Sequence, residues 1–359
     1  MENQKFEHDP ELVQTTHSDI EVTIEQEVSM IKMKRPHVVV LGAGASRATC
    51  PNGDKNGKVL PLMRDLVEAV GLSGLLQKWN IDSNQNFEEI FSSLYEKEET
   101  EKNTTLQDLV KEYFNQLELQ EKPTIYDHLV LSLREKDLIA TFNWDPLLMQ
   151  AYLRNRKVGL RLPQLAFLHG NVSVGCCEKD KVVGVAGAHC RSCGDLYKPV
   201  PLLYPIKQKD YASNPFIAEE WNRLKWGFQN TFMITIFGYS APKTDQEALS
   251  AMKQAWGDKD KRGFEQTSFI TTRSEDEVLE SWEPFIHTHH YEVHADFYSS
   301  WIANHPRRTG EAYWNQYIDA KFIDNNPIPK DVDFPELWDW FKRFKEAENA
   351  AKQEVLSNL

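Results

Sequence analysis

Two kinds of apolar patterning alternate along this chain. The first is the short, unbroken, β-branched run, which predicts a strand buried on both faces of a sheet. Val38–Leu41 is the clearest, and Asp137–Phe142, Leu165–Leu168, Phe232–Phe237, Phe269–Thr272 and Tyr291–His294 follow it. The second kind carries apolar residues three and four apart, the spacing of a helix that buries one face. It covers Leu62–Val70 behind Leu60-Pro61, then Phe87–Leu94 and Leu106–Leu119. Strands that alternate with helices predict an α/β fold, a Rossmann-like doubly wound parallel sheet. The stretch from about 72 to 135 has few strand signals and reads as a helical insertion packed over that sheet.

Between these elements lie three stretches of other character. Residues 1–34 are polar and acid-rich, with only scattered apolar positions such as Leu12, Val13, Ile20, Val22 and Ile24, so a mobile arm or partner-binding segment is expected there rather than core. Thr49–Gly57 is dense in turn formers and reads as an exposed loop, either a lid over the neighbouring turn or a tolerated surface insertion. The chain ends in a helix introduced by Asp333-Phe-Pro-Glu336, with Asp333 as N-cap, Pro335 at the first helical position and Glu336 completing a capping box. Phe334, Leu337, Trp338, Phe341 and Phe344 line one side of it. That stripe predicts docking on the parent domain, with an oligomer or partner interface as the alternative. The expected organisation is thus an arm over 1–34, a main domain over 35–304 and a helical extension over 305–359.

Composition narrows the class. The 359 residues are 41% hydrophobic and 26% charged, ordinary for a globular chain with a substantial core. The balance of 41 Lys+Arg against 54 Asp+Glu gives −13, which argues against direct, sequence-independent binding of nucleic acid. No apolar run reaches the roughly 20 residues of a membrane span, and the acidic start is unlike a secretory signal, so a cytoplasmic location is expected. Four of the five cysteines fall between Cys176 and Cys193, a spacing that suits a metal site better than a disulfide framework.

The chemistry gathers at the carboxyl ends of the predicted strands, where open α/β sheets bind ligands. Gly42-Ala43-Gly44-Ala45-Ser46 turns straight out of the first strand and reads as a phosphate cradle, with Gly42 for the turn and Gly44 for close backbone approach. It departs from the dehydrogenase fingerprint: Arg47 stands where a third glycine is wanted, and Asp65 and Glu68 fall in a helical pattern rather than at a strand end. Asn143 and Asp145 end the second strand, His169 the third, and Gly238 with Ser240 the fourth. Each has a bland alternative as a helix cap, a core histidine or a turn residue; four such ends on one sheet edge favour a site.

With these strand ends in place the sequence resembles the sirtuin-like family. The resemblance is carried by Gly42–Ser46 with Leu60-Pro61, by Thr141-Phe-Asn-Trp-Asp145, by Leu168-His-Gly170, and by Gly238-Tyr-Ser240 with Asp245, in the family's order over about 37–273. It implies a Rossmann-like NAD-binding domain with a smaller inserted module. It further implies that Asn143 and Asp145 serve the ribose and nicotinamide pocket, that His169 is the catalytic histidine, and that Gly42, Ala43, Gly44, Ser46, Gly238, Ser240 and Asp245 bind NAD. The module over about 171–205 matches the family's zinc ribbon through Cys177, Cys190 and Cys193. Adjacent Cys176 and Cys177 depart from the pattern, which brings in His189 as a partner to one of them in a structural zinc site; the other reading is a degenerate ribbon with unliganded thiols.

A further departure bears on the substrate. Protein-deacylating sirtuins continue from the ribbon into a strand that pairs with the acyl-lysine peptide, whereas this chain reads Val200-Pro-Leu-Leu-Tyr-Pro205, and Pro201 and Pro205 remove backbone donors. With Tyr204-Pro205, Lys207 and Trp221 the chain is more similar to bacterial sirtuin-like effectors that consume NAD in anti-phage defence. The implied activity is hydrolysis of the nicotinamide–ribose bond, in which a cationic pyridinium departs neutral and no pair of catalytic carboxylates is required. An NAD-dependent protein deacylase and a non-catalytic NAD or ADP-ribose binding module remain as alternatives. The acidic arm and the C-terminal aromatic stripe predict a homo-oligomer or a regulatory partner.

Overall fold

The computed structural model describes residues 20–204, 214–241 and 245–357. Six strands form the central sheet: β1 His37–Leu41, β2 Leu138–Thr141, β3 Gln164–Phe167, β4 Met233–Phe237, β5 Gln266–Ile270 and β6 Tyr291–His294. All pairings are parallel, in the order β3-β2-β1-β4-β5-β6. This is the doubly wound order, in which the winding reverses between β1 and β4. The six strands stand where the apolar runs predict them, with ends shifted by up to three residues.

Side-chain alternation along the strands divides the core in two. Val39, Leu41 and Ile139 face one layer, shared with Phe87, Ile90, Leu106 and Val110 of the helical insertion and with Leu337, Phe341 and Phe344 of the final helices. Val38, Val40, Leu138 and Ala140 face the other, covered by the helices Pro215–Asn230, Gln246–Trp256 and Glu275–Trp282. Burial on both faces is why these strands carry apolar residues without a polar alternation. The insertion is helical as expected, over Ser73–Lys78, Phe87–Glu96, Thr100–Asn115 and Ile125–Leu131. The helix expected over Leu62–Val70 is shorter, Leu66–Val70, because the Asp65 carboxylate accepts the Leu62 N–H at 2.5 Å and holds 62–65 as a turn.

The N-terminal stretch differs from expectation, while the C-terminal helix docks as its apolar stripe predicts. Of the polar N-terminal stretch, residues 1–19, with Leu12 and Val13, lie outside the described residues, but the remainder is packed. Glu21–Val22 pairs in parallel with Phe322–Ile323, and Thr23 caps a helix, Ile24–Ser29, through a full capping box. Glu27 and Val28 of that helix are buried, Glu27 against His305 at 2.9 Å. The C-terminal helix docks on its own domain, entered through Asp333, whose carboxylate accepts the Glu336 N–H at 3.0 Å. It is broken at Phe341 into Phe334–Trp340 and Lys342–Ser357, with Pro335 in the second helical position rather than the first. Among the described residues no helix is long and apolar enough to cross a membrane.

Candidate functional site

At the switch point the turns after β1 and β4 lock together. The Gly42 N–H donates to the Phe237 carbonyl and the Gly44 N–H to the Gly238 carbonyl, both at 3.0 Å. A Cβ on Gly42 would lie 2.5 Å from the Gly238 oxygen and the Tyr239 Cα, and one on Gly238, whose φ is +63°, would lie 2.2 Å from the Ala45 nitrogen. These glycines are therefore required by backbone packing between two strand ends. The helix Ala43–Thr49 starts with part of its amide set already bonded to protein. Arg47, in place of a third glycine, reaches the Leu60 carbonyl at 3.0 Å and Asp65 at 2.5 Å and fastens the following segment. The Thr49–Gly57 loop is exposed at Pro51, Asn52 and Lys55–Gly57, as expected, and is tied down at its centre: buried Asp54 accepts the backbone N–H groups of Asn56, Lys58 and, from the helical insertion, Glu118.

Beside this turn, side chains from three distant segments form one buried network. The Asn143 amide nitrogen donates to the Gly42 carbonyl at 2.8 Å and to Ser46 Oγ at 2.9 Å, with a longer contact of 3.2 Å to the Tyr126 hydroxyl. A carbonyl can only accept, so the nitrogen must face Gly42 and the amide turns its Oδ1 away from the network. Ser46 gives its one proton to Asp145 Oδ2 at 2.6 Å, which leaves Tyr126 as the donor in the 2.8 Å Tyr126–Ser46 bond. The other Asp145 oxygen caps the next helix through the Leu147 N–H at 3.1 Å. Burial raises the Asp145 pKa above the ordinary carboxylate value against the pull of these hydrogen bonds. Burial, and then Asp145, raise the Tyr126 pKa well above its usual value, so its hydroxyl keeps its proton.

His169 belongs to an adjoining aromatic cluster. Its ring packs edge-on against Phe142, centroids 4.8 Å apart, and Phe142 stacks on Tyr239 at 4.3 Å. The Tyr239 hydroxyl donates to Asp245 at 2.7 Å, while Ser240 is exposed and its carbonyl accepts from Arg273 at 3.2 Å. Gly170 has φ +75°, and a Cβ there would lie 2.0 Å from the Pro201 oxygen, so the segment leaving the ribbon crosses directly over the His169–Gly170 turn. The Asn143 network and the His169 cluster meet through the Phe142–Asn143 peptide and through Asn171. The Asn171 amide donates to the backbone carbonyls of Asn143 at 3.3 Å and Asp145 at 2.5 Å. Tyr126 carries no sequence motif, and Asn171 is marked only by its place directly after Leu168-His-Gly170.

The small module is a three-stranded antiparallel sheet with Val174–Cys177 in its centre. Cys177, Asp180, Cys190 and Cys193 bring one donor atom each to within 4.8 Å of one another. The Cys177 and Cys193 sulfurs are 3.4 Å apart and Cys190 lies 3.2 Å from Asp180 Oδ2. Thiolates about 2.3 Å from a tetrahedral zinc stand about 3.7 Å apart, so the set fits a closed structural zinc site. The three cysteines expected from sequence are present, but the fourth donor is Asp180. His189 bonds the Gly194 carbonyl at 2.7 Å instead, and Cys176, next to Cys177 on a strand, faces the opposite side and packs near Val174 and Val200. Pro205 and Lys207 lie outside the described residues.

No protein-family model matches this chain, and no curated protein matches it. Among solved structures, a Sir2 homologue mutant in complex with ADP-ribose aligns with TM-score 0.40 and 13% identity over 90% of this chain and 96% of that one. A mutant Sir2 homologue complex with 2′-O-acetyl-ADP-ribose gives 0.41 and 15% over 82% and 95%. A Sir2 homologue–NAD complex gives 0.32 and 14% over 82% and 93%. The strand order and the strand-end geometry of this chain, not these distant likenesses, carry the functional reading.

Proposed function

We propose that this chain binds NAD at the carboxyl edge of β3, β2, β1 and β4 and hydrolyses its nicotinamide–ribose bond, releasing nicotinamide and ADP-ribose. The observation that carries the proposal is the convergence, at the switch point of a doubly wound sheet, of the Gly42–Ser46 turn, the Asn143 network and the His169 cluster. Gly42, Ala43, Gly44, Ser46, Gly238, Ser240 and Asp245 are proposed as the cofactor-binding set.

In the reaction a water oxygen bonds to the anomeric carbon as the carbon–nitrogen bond breaks, nicotinamide leaves neutral, and one proton is released. The protein must hold the ribose, stabilise a developing oxocarbenium ion and place the water. Asn143, with both amide hydrogens spent inside the network, presents Oδ1 as an acceptor for a ribose hydroxyl or for the water. Asp145 acts on this amide through Ser46, and its charge favours positive charge nearby. His169 takes up the proton, a task suited to an imidazole. The Cys177–Asp180–Cys190–Cys193 set would hold zinc as a structural ion in the module.

Hydrolysis is favoured over protein deacylation by one local feature. Residues 201–204 form no strand, and the Leu203 N–H is spent on the His169 carbonyl at 2.9 Å, so this segment offers no open edge for a peptide. A regulated, NAD-depleting role in anti-phage defence, under control of a partner or of self-association, follows from the sequence resemblance alone.

The test is nicotinamide release from NAD by the full chain, with Asn143→Ala and His169→Ala beside it. Each variant is expected to lose about 100- to 10,000-fold. Equal release by all three proteins removes these assignments. Release that requires an acyl-lysine peptide points to a deacylase, and tight NAD binding in calorimetry without turnover, with and without partner proteins, points to a sensing module.

A further inference from the structure

The two lateral edges of the central sheet are finished differently. At β3, side chains of the helix Pro215–Asn230 take the outward backbone groups: the Phe167 N–H donates to buried Glu220 at 2.6 Å, and the Leu165 carbonyl accepts from Arg223 at 3.4 Å. β6 ends the sheet on the other side, where it pairs with β5 alone. The His290 and His294 carbonyls accept from the Thr267 and Thr271 N–H groups at 3.1 and 2.9 Å. By strand alternation the peptide groups of His290, Glu292 and His294 therefore face β5, and those of Tyr291 and Val293 face outward. Among the described residues no group bonds these outward N–H and C=O groups. An edge left in this state is a template for another strand.

An exposed aromatic patch adjoins the same strand. Trp314–Ile318 is a π-helix, a rare turn that recurs at functional sites. It leaves Trp314 37% and Tyr317 51% exposed, and Phe264, 57% exposed, lies against Trp314 with ring centroids 6.2 Å apart. The Tyr317 hydroxyl donates to Glu292 of β6 at 3.3 Å, so patch and edge form one surface. Contiguous exposed aromatic side chains rimmed by polar groups mark a protein contact.

The occupant this edge fits is a second copy of itself. In an antiparallel pair the outward-facing residues must stand opposite one another, so Val293 can face either Tyr291 or Val293 of the second copy. The first register sets Glu292 directly against Glu292, two like charges about 5 Å apart at their Cβ atoms. The second sets Glu292 against His294 on both sides of a two-fold axis at Val293. These two side chains are complementary, and within one chain the His294 ring and the Glu292 carboxylate already meet at 3.1 Å. Charge thus selects the second register.

We propose that β6 pairs with β6 of a second copy of this chain, antiparallel about Val293, so that the sheet runs across a homodimer with the Tyr317 patches beside the joint. The pairing is independent of the reaction proposed at the carboxyl edge.

Sedimentation equilibrium of the full chain over a concentration series is expected to give the mass of two chains. Amide exchange at Tyr291 and Val293, fast in the diluted monomer, should slow as the dimer forms. Glu292→Lys sets a second cationic side chain against His294 and should raise the dissociation constant about tenfold or more, while Glu292→Lys with His294→Glu restores the match and the dimer. Val293→Pro removes an outward donor without breaking a bond to β5 and should also yield monomer. Circular dichroism melts confirm that each variant is folded. A wild-type chain that stays monomeric over the series overturns the proposal. So does a dimer that survives both Glu292→Lys and Val293→Pro undiminished, or one in which the Tyr291 and Val293 amides remain unprotected.

Discussion

His37 and His128 each sit beside an aspartate, yet burial dominates and lowers both pKa values from 6.5 to about 4. Asp137 goes the other way: burial pushes its pKa up, but Lys136, Arg134 and their hydrogen bonds outweigh it and hold it at about 2. These directions fix the pH dependence of stability. A histidine kept neutral in the fold but protonated in the unfolded chain contributes stability that is complete above pH 6.5 and is lost as the pH falls to about 4. Each shift corresponds to roughly 3 kcal/mol. Asp137 still contributes fully through that window and loses its share only below its ordinary value of 3.8. Urea unfolding between pH 7.5 and 4 should therefore show a steep loss of stability that begins near 6.5. Replacing His128 by Phe should remove about half of the slope, and an unchanged slope would assign the acid sensitivity elsewhere. At this scale the sequence was a partial guide. Asn143, Asp145 and His169 stood out because they follow directly on the carboxyl ends of apolar strands, whereas Tyr126, 80 residues from the Ser46 it bonds, is one aromatic in a helical pattern and only the fold brings it to the site.

Among the elements, β1, β2 and β4 were legible because each is buried on both faces and so wears its burial as a nearly unbroken apolar run, whereas β5 is buried but opens with Gln266-Thr-Ser268, so its expected start falls three residues late, and β3 and β6 are partly buried edge strands. The turns after β1 and β4 were legible as glycines, but not the reason for them, since a glycine that admits a ligand and one that admits a neighbouring backbone look the same in sequence. In the metal module, strand parity decides what spacing alone leaves open. Cys176 and Cys177 point to opposite faces, and the fourth donor, Asp180, is hidden in the charged run Glu178-Lys-Asp-Lys181. The expected consequence is a sharp division among variants. Purified chain should carry one zinc per molecule; Cys177→Ser, Cys190→Ser and Cys193→Ser should lose it, and Asp180→Ala should bind it more weakly. Cys176→Ser and His189→Ala should retain it in full. Metal analysis after gel filtration checks this, and loss of zinc from the Cys176 or His189 variants would require a different donor set.

On the scale of the whole molecule, the N-terminal segment from residue 20 and the extension as far as residue 357 are part of the fold, and a few buried charges hold them. Arg307 and Arg308 are fully buried at the start of the extension. Arg307 donates to the carbonyls of Leu131 and Leu133 and, through Nε and Nη2 at 2.7 Å each, to Glu348 of the last helix. Arg308 donates to the Val28 carbonyl of the N-terminal segment and to the same Glu348 at 3.0 Å. One carboxylate thus offsets two guanidinium groups, and although burial alone would raise the Glu348 pKa, the two arginines hold it below the usual glutamate value. Pro306-Arg-Arg-Thr309 gives no hint of this in sequence, where paired arginines read as solvated surface. Removing the carboxylate leaves two buried cations without a counter-charge, a loss of about 3–5 kcal/mol when a buried pair is broken. Glu348→Ala should therefore destabilise the whole chain in one cooperative transition, with the N-terminal segment and last helix exchanging their amides no faster than β1 relative to the new global stability. Lys342→Ala, on the exposed face of the same helix, should leave the unfolding midpoint essentially unchanged. Hydrogen exchange that shows residues 333–357 opening alone in Glu348→Ala, with the sheet as stable as before, would make the extension an appendage rather than a wall of the core.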